Sequence, residues 1–474
     1  MYAQDMSTRN PPTLLIIRDG WGHNPHPDHD AFNAVKLAST PVADQLFEHF
    51  PSTCIRTSGE DVGLPNGADG PVMGNSEVGH QNIGAGRIVD QELMRITRSV
   101  RSGAFFKEAA LDEAFSHIEG NGRTLHLLGL ISDGQVHSDL EHLLALIECA
   151  KKRGLPTDQL RVHAITDGRD TPPQSGQSYL ASVEHALKDA GYPPVASVMG
   201  RFWAMDRDHR WERVERAYQC LVGEDFNLAD TATNAVVNAY NAPENPKLKG
   251  DEFIPPTAIG NTKEDAQAGR IQDGDSVIFF NFRGDRPREI SRAFVLEDTE
   301  WANVKEGGFT RSRKLKDLRF TGLTRYEKDL PIEVVFEKPE GMPSILGEAI
   351  CDLGLDQFRC AETEKFPHVT FFFNDYREEP FDREHRVIVP SPKDVATYDL
   401  KPEMSAFGVR DAVLNRIHDK NCESLLIVNF ANGDMVGHTG SLDAAISACE
   451  TVDQCVGELL KAMDKVGGST LITA

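Results

Sequence analysis

Short apolar runs rich in β-branched residues, each followed at once by charged or polar side chains, recur from one end of the chain to the other. Thr13–Ile17, TLLII, runs into Arg18, Asp19 and Gly20, and Ser424–Phe430, SLLIVNF, runs toward Asp434 and His438. Four more lie between them: Leu125–Ser132, Val162–Thr166, Val195–Met199 and Ser276–Phe280. Helical stretches such as DLEHLLALIECAKKRG and YLASVEHALKDAG separate the runs, most regularly from Leu111 to Ala190. Strands alternating with helices in this way predict an α/β architecture built on buried parallel strands. Open sheets of this type build their sites at the carboxyl ends of the strands, so the polar clusters found there are the candidate functional residues.

Four of those clusters share a chemistry. The central strands end on Asp133, Gly134 and His137; on Asp167, Arg169 and Asp170; on Gly200, Arg201 and Arg207; and on Asn281, Arg283 and Arg286. A single arginine is most often a surface ion-pair partner, but arginines past several strand ends of one region predict a carboxylate or phosphate clamp. The chain carries a net charge of -23, which argues against nucleic acid as a general partner and requires any anion to meet a local basic pocket. Lys365, after the strand Phe358–Glu362, is a further anion contact or an ordinary surface lysine. Asp434 and His438 are spaced as a first-row metal pair or as a structural pair.

Pro71–Arg87, PVMGNSEVGHQNIGAGR, places Ser76 among Gly70, Gly74, Gly79, Gly84 and Gly86. It reads as a nucleophile loop or as an ordinary glycine-rich surface loop. A serine hydroxyl needs a base or a metal ion to become a nucleophile, and no His–carboxylate pair stands beside Ser76. Asn75 is a candidate donor to an oxyanion.

The remaining chain predicts a helix from about Ala31 to His49, a strand at Ser52–Ser58 and a long amphipathic helix through Leu442, Ile446, Cys449, Val452, Val456, Leu459 and Met463. Gly467 and Gly468 end that helix, and Ser469–Ala474 begins another strand. TGLTRYEKDLPIEVVFEKP reads as a polar crossing back to the first domain, after which SILGEAICDLG resumes the alternation as a helix, followed by Phe358–Glu362 and Thr370–Asn374. A length of 474 residues allows two or three domains. The opening MYAQDMSTRNPPT is neither signal peptide nor anchor, and no run approaches the ~20 apolar residues of a membrane span. Eight cysteines without a CxxC pair predict free thiols in a reducing cytoplasm.

Taken together, DGWG at Asp19, MGNSEVGH at Ser76, ISDGQVHS at His137, TDGRD at Arg169, GRFWAMDRDHRW from Arg201, FNFRGDRPREI at Arg283 and Arg286, ATYDLKPEMSA at 396–406 and NGDMVGHTG at Asp434 closely resemble the cofactor-independent phosphoglycerate mutases, members of the alkaline phosphatase-like metalloenzymes. The resemblance runs through nearly the whole chain. It implies a discontinuous phosphatase-like domain at 1–90 and 336–474, with a phosphotransferase domain inserted at 91–335. It implies two Mn²⁺ ions, or other divalent metals, with Asp19 and Ser76 on one and Asp434 and His438 on the other. Lys365 is then expected at the phosphoryl group, and His137, Arg169, Asp170, Arg201, Arg207, Arg283 and Arg286 at the substrate, with Asp170 exchanging protons. The implied reaction interconverts 3- and 2-phosphoglycerate through a phosphoserine on Ser76, without 2,3-bisphosphoglycerate, in a cytoplasmic monomer that binds neither membrane nor nucleic acid. Two departures stand out. The family's last strand is followed by an Asp-His pair, whereas this sequence stops at Ala474, leaving two expected protein ligands per metal and a truncated, inactive phosphoglycerate-binding subunit as an alternative; a related phosphatase is another. Asp139 stands where many relatives place a histidine, and is a doubtful site residue.

Overall fold

The computed structural model describes residues 11–67, 70–311, 314–338 and 341–474. The described residues divide into two compact units: 11–66, 70–89 and 341–474 form one, and 67, 90–311 and 314–338 form the other.

The first unit is built on a parallel sheet in the order Glu384–Val389, Gln357–Glu362, Leu425–Phe430, Thr13–Arg18, Ser469–Thr473. Leu14, Ile16, Leu426 and Val428 pack on one face against the long helix Leu442–Lys465, while Ile17, Ile427 and Ala361 pack on the other with Val369 and Phe373. Burial on both faces explains why these strands read as continuous apolar runs rather than alternating ones. The long helix follows its predicted stripe, burying Cys449, Val452, Val456, Leu459 and Met463. Its Asp453 carboxylate also accepts the Val42 and Ala43 backbone N–H groups at 2.9 and 2.8 Å, capping the helix Pro41–His49.

The second unit carries an eight-stranded sheet in the order Glu333–Phe336, Arg319–Thr324, Ser276–Phe279, Leu125–Ile131, Leu160–Thr166, Ser197–Gly200, Thr257–Ile259, Asn227–Ala229. Only the Ser197–Gly200 and Thr257–Ile259 pair is antiparallel among the described residues. A fully buried polar row crosses this sheet, running from Asp275 to His126 (3.1 Å), to His163 (2.9 Å) and on to the Ser197 hydroxyl (2.8 Å).

Five local expectations are corrected. Ala31–His49 is not one helix: Pro41 cannot donate within a helix and restricts Thr40, so the segment breaks into Pro27–Phe32, Ala34–Leu37 and Pro41–His49. Ser52–Ser58 forms no strand; it follows Pro51, Ser52–Thr57 is exposed throughout, and Ser58 makes one bridge to Met73. The Ser76 segment is a loop only as far as Asn75, and Ser76–Ala85 is a helix. Arg319–Thr324 and Glu333–Phe336 are sheet strands of the second unit, not a crossing. Thr370–Asn374 falls within helical turns around His368–Phe372, and the strand after it is Glu384–Val389.

His142, on the helix Leu140–Lys152, is wholly buried, 3.0 Å from the Thr97 hydroxyl and edge-on to Phe282. Burial pushes its pKa down to about 4. The folded form therefore disfavours the proton that the unfolded chain takes up below about 6.5, and stability falls as pH drops from about 6.5 to about 4. His142→Gln should lack this component, so wild type should lose roughly 3 kcal/mol more than the variant between pH 7 and pH 4 in urea unfolding. Parallel losses in the two proteins would contradict the assignment.

Candidate active site

The turns after two adjacent strands of the first unit lock together. Gly20 sits at φ +81°, and a Cβ on it would lie 2.3 Å from the Asp434 nitrogen. The Asp434 N–H in turn donates to the Asp19 carbonyl at 3.0 Å. Only glycine permits both the left-handed backbone and this approach, which brings the Asp19 and Asp434 side chains to one place.

Ser76 reaches the same place from the first turn of Ser76–Ala85. Asn75 caps this helix, its side-chain oxygen accepting the Val78 N–H at 2.9 Å, and Gly86 closes it at φ +64°. Gly84 lets the helix settle on the Phe373 carbonyl, which would lie 2.0 Å from any Cβ there. The glycines of the motif thus serve close packing and termination more than loop freedom.

Lys365, presented after the strand Gln357–Glu362, joins these groups. Its buried ammonium donates to the Ser76 hydroxyl at 2.6 Å and pairs with Asp434 at 2.6 Å and Asp19 at 3.2 Å. The Ser76 hydroxyl donates to Asp19 Oδ1 at 3.0 Å. Burial raises the Asp19 carboxyl, but Lys365, His80, Asn429 and Ser76 outweigh it and hold its pKa below the ordinary value. His438 lies 3.4 Å from Asp434 and is mostly exposed. Two carboxylates, a hydroxyl and an imidazole are hard or borderline donors suited to a divalent first-row cation. Among the described residues no three His, Cys, Asp or Glu side chains face a common point.

Two residues of this centre escaped the sequence reading. Asn429 donates to Asp19 Oδ2 at 2.9 Å and stands 3.0 Å from His80 Nε2, while His80 Nδ1 lies 2.7 Å from the Ser76 carbonyl. The one signal for Asn429 is an amide in an otherwise apolar strand.

The second unit gathers the arginines. Arg201 is buried and donates to Asp167 at 2.6 Å and Asp170 at 2.5 Å; Arg207 and Arg283 reach Asp285 at 3.0 and 3.2 Å; Arg286 donates to the Met205 carbonyl at 3.0 Å. Arg286 is held below its ordinary pKa by burial and then by the charges of Arg201, Arg207 and Arg169, which places four guanidiniums in one electrostatic neighbourhood. His137 lies 3.8 Å from Asp170 and 3.6 Å from Asp285; burial and Arg201 push its pKa down to about 4, so it is neutral at pH 7. Arg169 is the outermost, 3.3 Å from Glu252 and half exposed. Asp167, which the sequence places in its strand-end cluster without a role, and Asp285, which it does not single out, supply the counter-charge. Asp139 caps the helix Leu140–Lys152 through the Glu141 N–H at 2.7 Å, so its role here is local.

The fold and its serine–lysine–aspartate centre define an alkaline phosphatase-like α/β protein with an inserted domain. A family profile described as BPG-independent PGAM N-terminus matches residues 96–328. A 2,3-bisphosphoglycerate-independent phosphoglycerate mutase of Rhodopirellula baltica is 53% identical over 468 residues, 99% of this chain and 85% of that protein. The enzyme of the same name from Syntrophotalea carbinolica is 48% identical, over 98% of this chain and 85% of that protein. A crystal structure of Leishmania mexicana phosphoglycerate mutase at low cobalt concentration aligns with a TM-score of 0.58 at 34% identity, covering 99% of this chain and 83% of that one. The chain belongs to the 2,3-bisphosphoglycerate-independent phosphoglycerate mutase family.

Gly20→Ala should lower unfolding stability by roughly 2–4 kcal/mol, from the left-handed backbone and the collision with Asp434. Gly22→Ala, which meets nothing within 4 Å, serves as the control and should be close to neutral. Equal urea midpoints for the two variants would show that the turn is not locked.

Proposed function

We propose that the protein interconverts 3-phosphoglycerate and 2-phosphoglycerate through a phosphoserine on Ser76. The observation that carries this reading is the Ser76 hydroxyl, held at a helix start between the Lys365 ammonium at 2.6 Å and Asp19 at 3.0 Å. The Lys365 ammonium and the N-terminus of the helix Ser76–Ala85 both place positive charge at the oxygen, which stabilises an alkoxide and the phosphoryl oxygens that follow. Asp19, Ser76, Asp434 and His438 are the residues that would hold divalent metal, Mn²⁺ in our reading and two ions in all. Such an ion lowers the pKa of a bound hydroxyl.

His137, Arg169, Asp170, Arg201, Arg207, Arg283 and Arg286 hold the phosphoglycerate. In support, Arg201 Nε and Arg286 Nε are buried without a hydrogen-bond partner among the described residues, as donors awaiting an anion are. Asp170, bound to Arg201, exchanges protons with the glycerate hydroxyls while the phosphoryl group resides on Ser76. The arginine set favours a mutase over a hydrolase because it retains glycerate between the two transfers. The extent of the family match favours the enzyme over a silent binding subunit. No disulfide joins any of the eight cysteines, all among the described residues, which accords with a cytoplasmic enzyme that we take to act as a monomer; no helix of the described residues is long and apolar enough to cross a membrane.

Incubation with phosphoryl-labelled 3-phosphoglycerate should label wild type on Ser76. Ser76→Ala should lose the label and roughly 10³-fold or more of kcat while keeping the wild-type unfolding midpoint. Label on any other residue would overturn the assignment.

Chelation should stop turnover and Mn²⁺ restore it, with 2,3-bisphosphoglycerate absent throughout. Turnover that persists after chelation, or that requires 2,3-bisphosphoglycerate, would contradict the reading.

A further inference from the structure

The helix Arg288–Val295 carries Glu289, only 1% exposed, beneath the loop 205–211. Glu289 Oε1 accepts the His209 N–H at 3.0 Å. His209 sits at φ +62°, a conformation that side-chain-bearing residues rarely adopt, so the loop depends on contacts of this kind. Within the loop Asp206, 4% exposed, organises the chain around itself. Its Oδ2 accepts the Asp208 and Arg210 N–H groups at 3.0 and 2.9 Å, and its Oδ1 accepts from the Arg210 and Arg213 guanidiniums, each at 3.3 Å.

Glu289 Oε2 is buried and receives no donor from any described group, and the Asp206 carboxylate is close enough to raise the Glu289 pKa. A buried carboxyl with a single N–H donor, one oxygen unpartnered and a second carboxylate nearby favours its neutral form. Asp206 accepts four N–H donors and Glu289 only one, so the proton is placed on Glu289. The loop so fixed carries Arg207, whose guanidinium reaches Asp285, and begins at Met205, whose carbonyl accepts from Arg286.

We propose that neutral, protonated Glu289 is a positioning residue for the substrate arginines, holding the loop 205–211 through the His209 N–H and the Asp206 carboxylate. The groups facing it are Asp206, His209 and, on its own helix, Arg292, with Arg210 and Arg213 acting through Asp206. Burial is the main cause that raises its pKa, to about 7; Asp206 adds to it, while the His209 N–H and Arg292 oppose. Loss of the proton above that range sets two buried carboxylates against each other and loosens the loop. The catalytic consequence rests on the mutase reading; the structural one does not.

The test compares the full-length wild type, Glu289→Gln and Glu289→Ala, by hydrogen exchange of the 205–211 amides and by metal-replete kinetics with 3-phosphoglycerate. Glutamine keeps a donor toward Asp206 and a carbonyl oxygen for the His209 N–H, and has no proton to lose. At pH 6, Glu289→Gln should match the wild-type KM within about twofold, while Glu289→Ala exchanges and binds as a loosened loop. Between pH 6 and 8.5 the wild-type-to-Gln ratio of KM, and that of 205–211 exchange rates, should each rise about tenfold, with the kcat ratio steady within about twofold. Superimposable wild-type and Gln profiles, or Gln behaving like Ala at pH 6, would overturn the proposal. If Glu289→Ala does not fold, the wild-type-to-Gln ratios still decide it. A wild type without turnover would remove the mutase reading, and the exchange ratio alone would then decide for or against Glu289.

Discussion

The buried Lys365 ammonium is the interaction on which the first unit's site depends. Three neighbouring parallel strands end beside it: Thr13–Arg18 delivers Asp19, Gln357–Glu362 delivers Lys365, and Leu425–Phe430 leads to Asp434. Two carboxylates held this close repel, by about 4 kcal/mol at 4 Å and an effective dielectric of 20, unless a cation lies between them. Lys365 supplies that charge and donates to Ser76 as well. Removing the ammonium leaves the two carboxylates uncompensated, so sheet register, the Gly20 turn and the packing of Ser76–Ala85 on Phe373 are all constrained by one ammonium.

The second unit solves the opposite electrostatic problem. A chain of net charge -23 collects Arg169, Arg201, Arg207, Arg283 and Arg286 at the ends of parallel strands. Asp167, Asp170 and Asp285 neutralise part of that charge and orient the guanidiniums, while the depressed pKa of Arg286, from burial first and then its arginine neighbours, shows that the compensation is incomplete. In the proposed reaction the positive potential left over around these guanidiniums is what an anionic substrate would meet, and it is local enough to coexist with an acidic surface.

Strand ends were legible because a parallel strand buried on both faces has a simple signature, an apolar run stopped by the first polar group that reaches solvent or a site. Asp19, Asp434 and the arginines all follow such runs. Less legible was anything decided by partners distant in sequence. Ser52–Ser58 has strand-like residues but joins no sheet, making one bridge to Met73, whereas Glu333–Phe336 is short and flanked by proline yet pairs with Arg319–Thr324. Glycine content suggested a loop around Ser76, but the Asn75 cap and the tight contact at Gly84 make a helix. Asp285, Asn429 and His80 act through hydrogen bonds and ion pairs to residues remote in the chain, a relation that no local pattern records.

The sequence offered Ser76 no base, and the geometry explains how little it needs a strong one. The hydroxyl proton points to Asp19, whose carboxylate is stabilised well enough by its neighbours to be a poor proton acceptor. His80 stands nearest after that, but it is occupied at both nitrogens: Nδ1 by the Ser76 carbonyl and Nε2 by the Asn429 amide. Those two contacts fix the Nδ1–H tautomer, which makes His80 a brace that links the Ser76 backbone, through Asn429, to the Asp19 carboxylate. In the proposed reaction, activation of Ser76 would then come from lowering the pKa of the hydroxyl itself rather than from raising that of a base. Positive charge held against the oxygen does this, and the Lys365 ammonium, the first turn of the helix and a cation on Asp19 would all act on the same atom in the same direction.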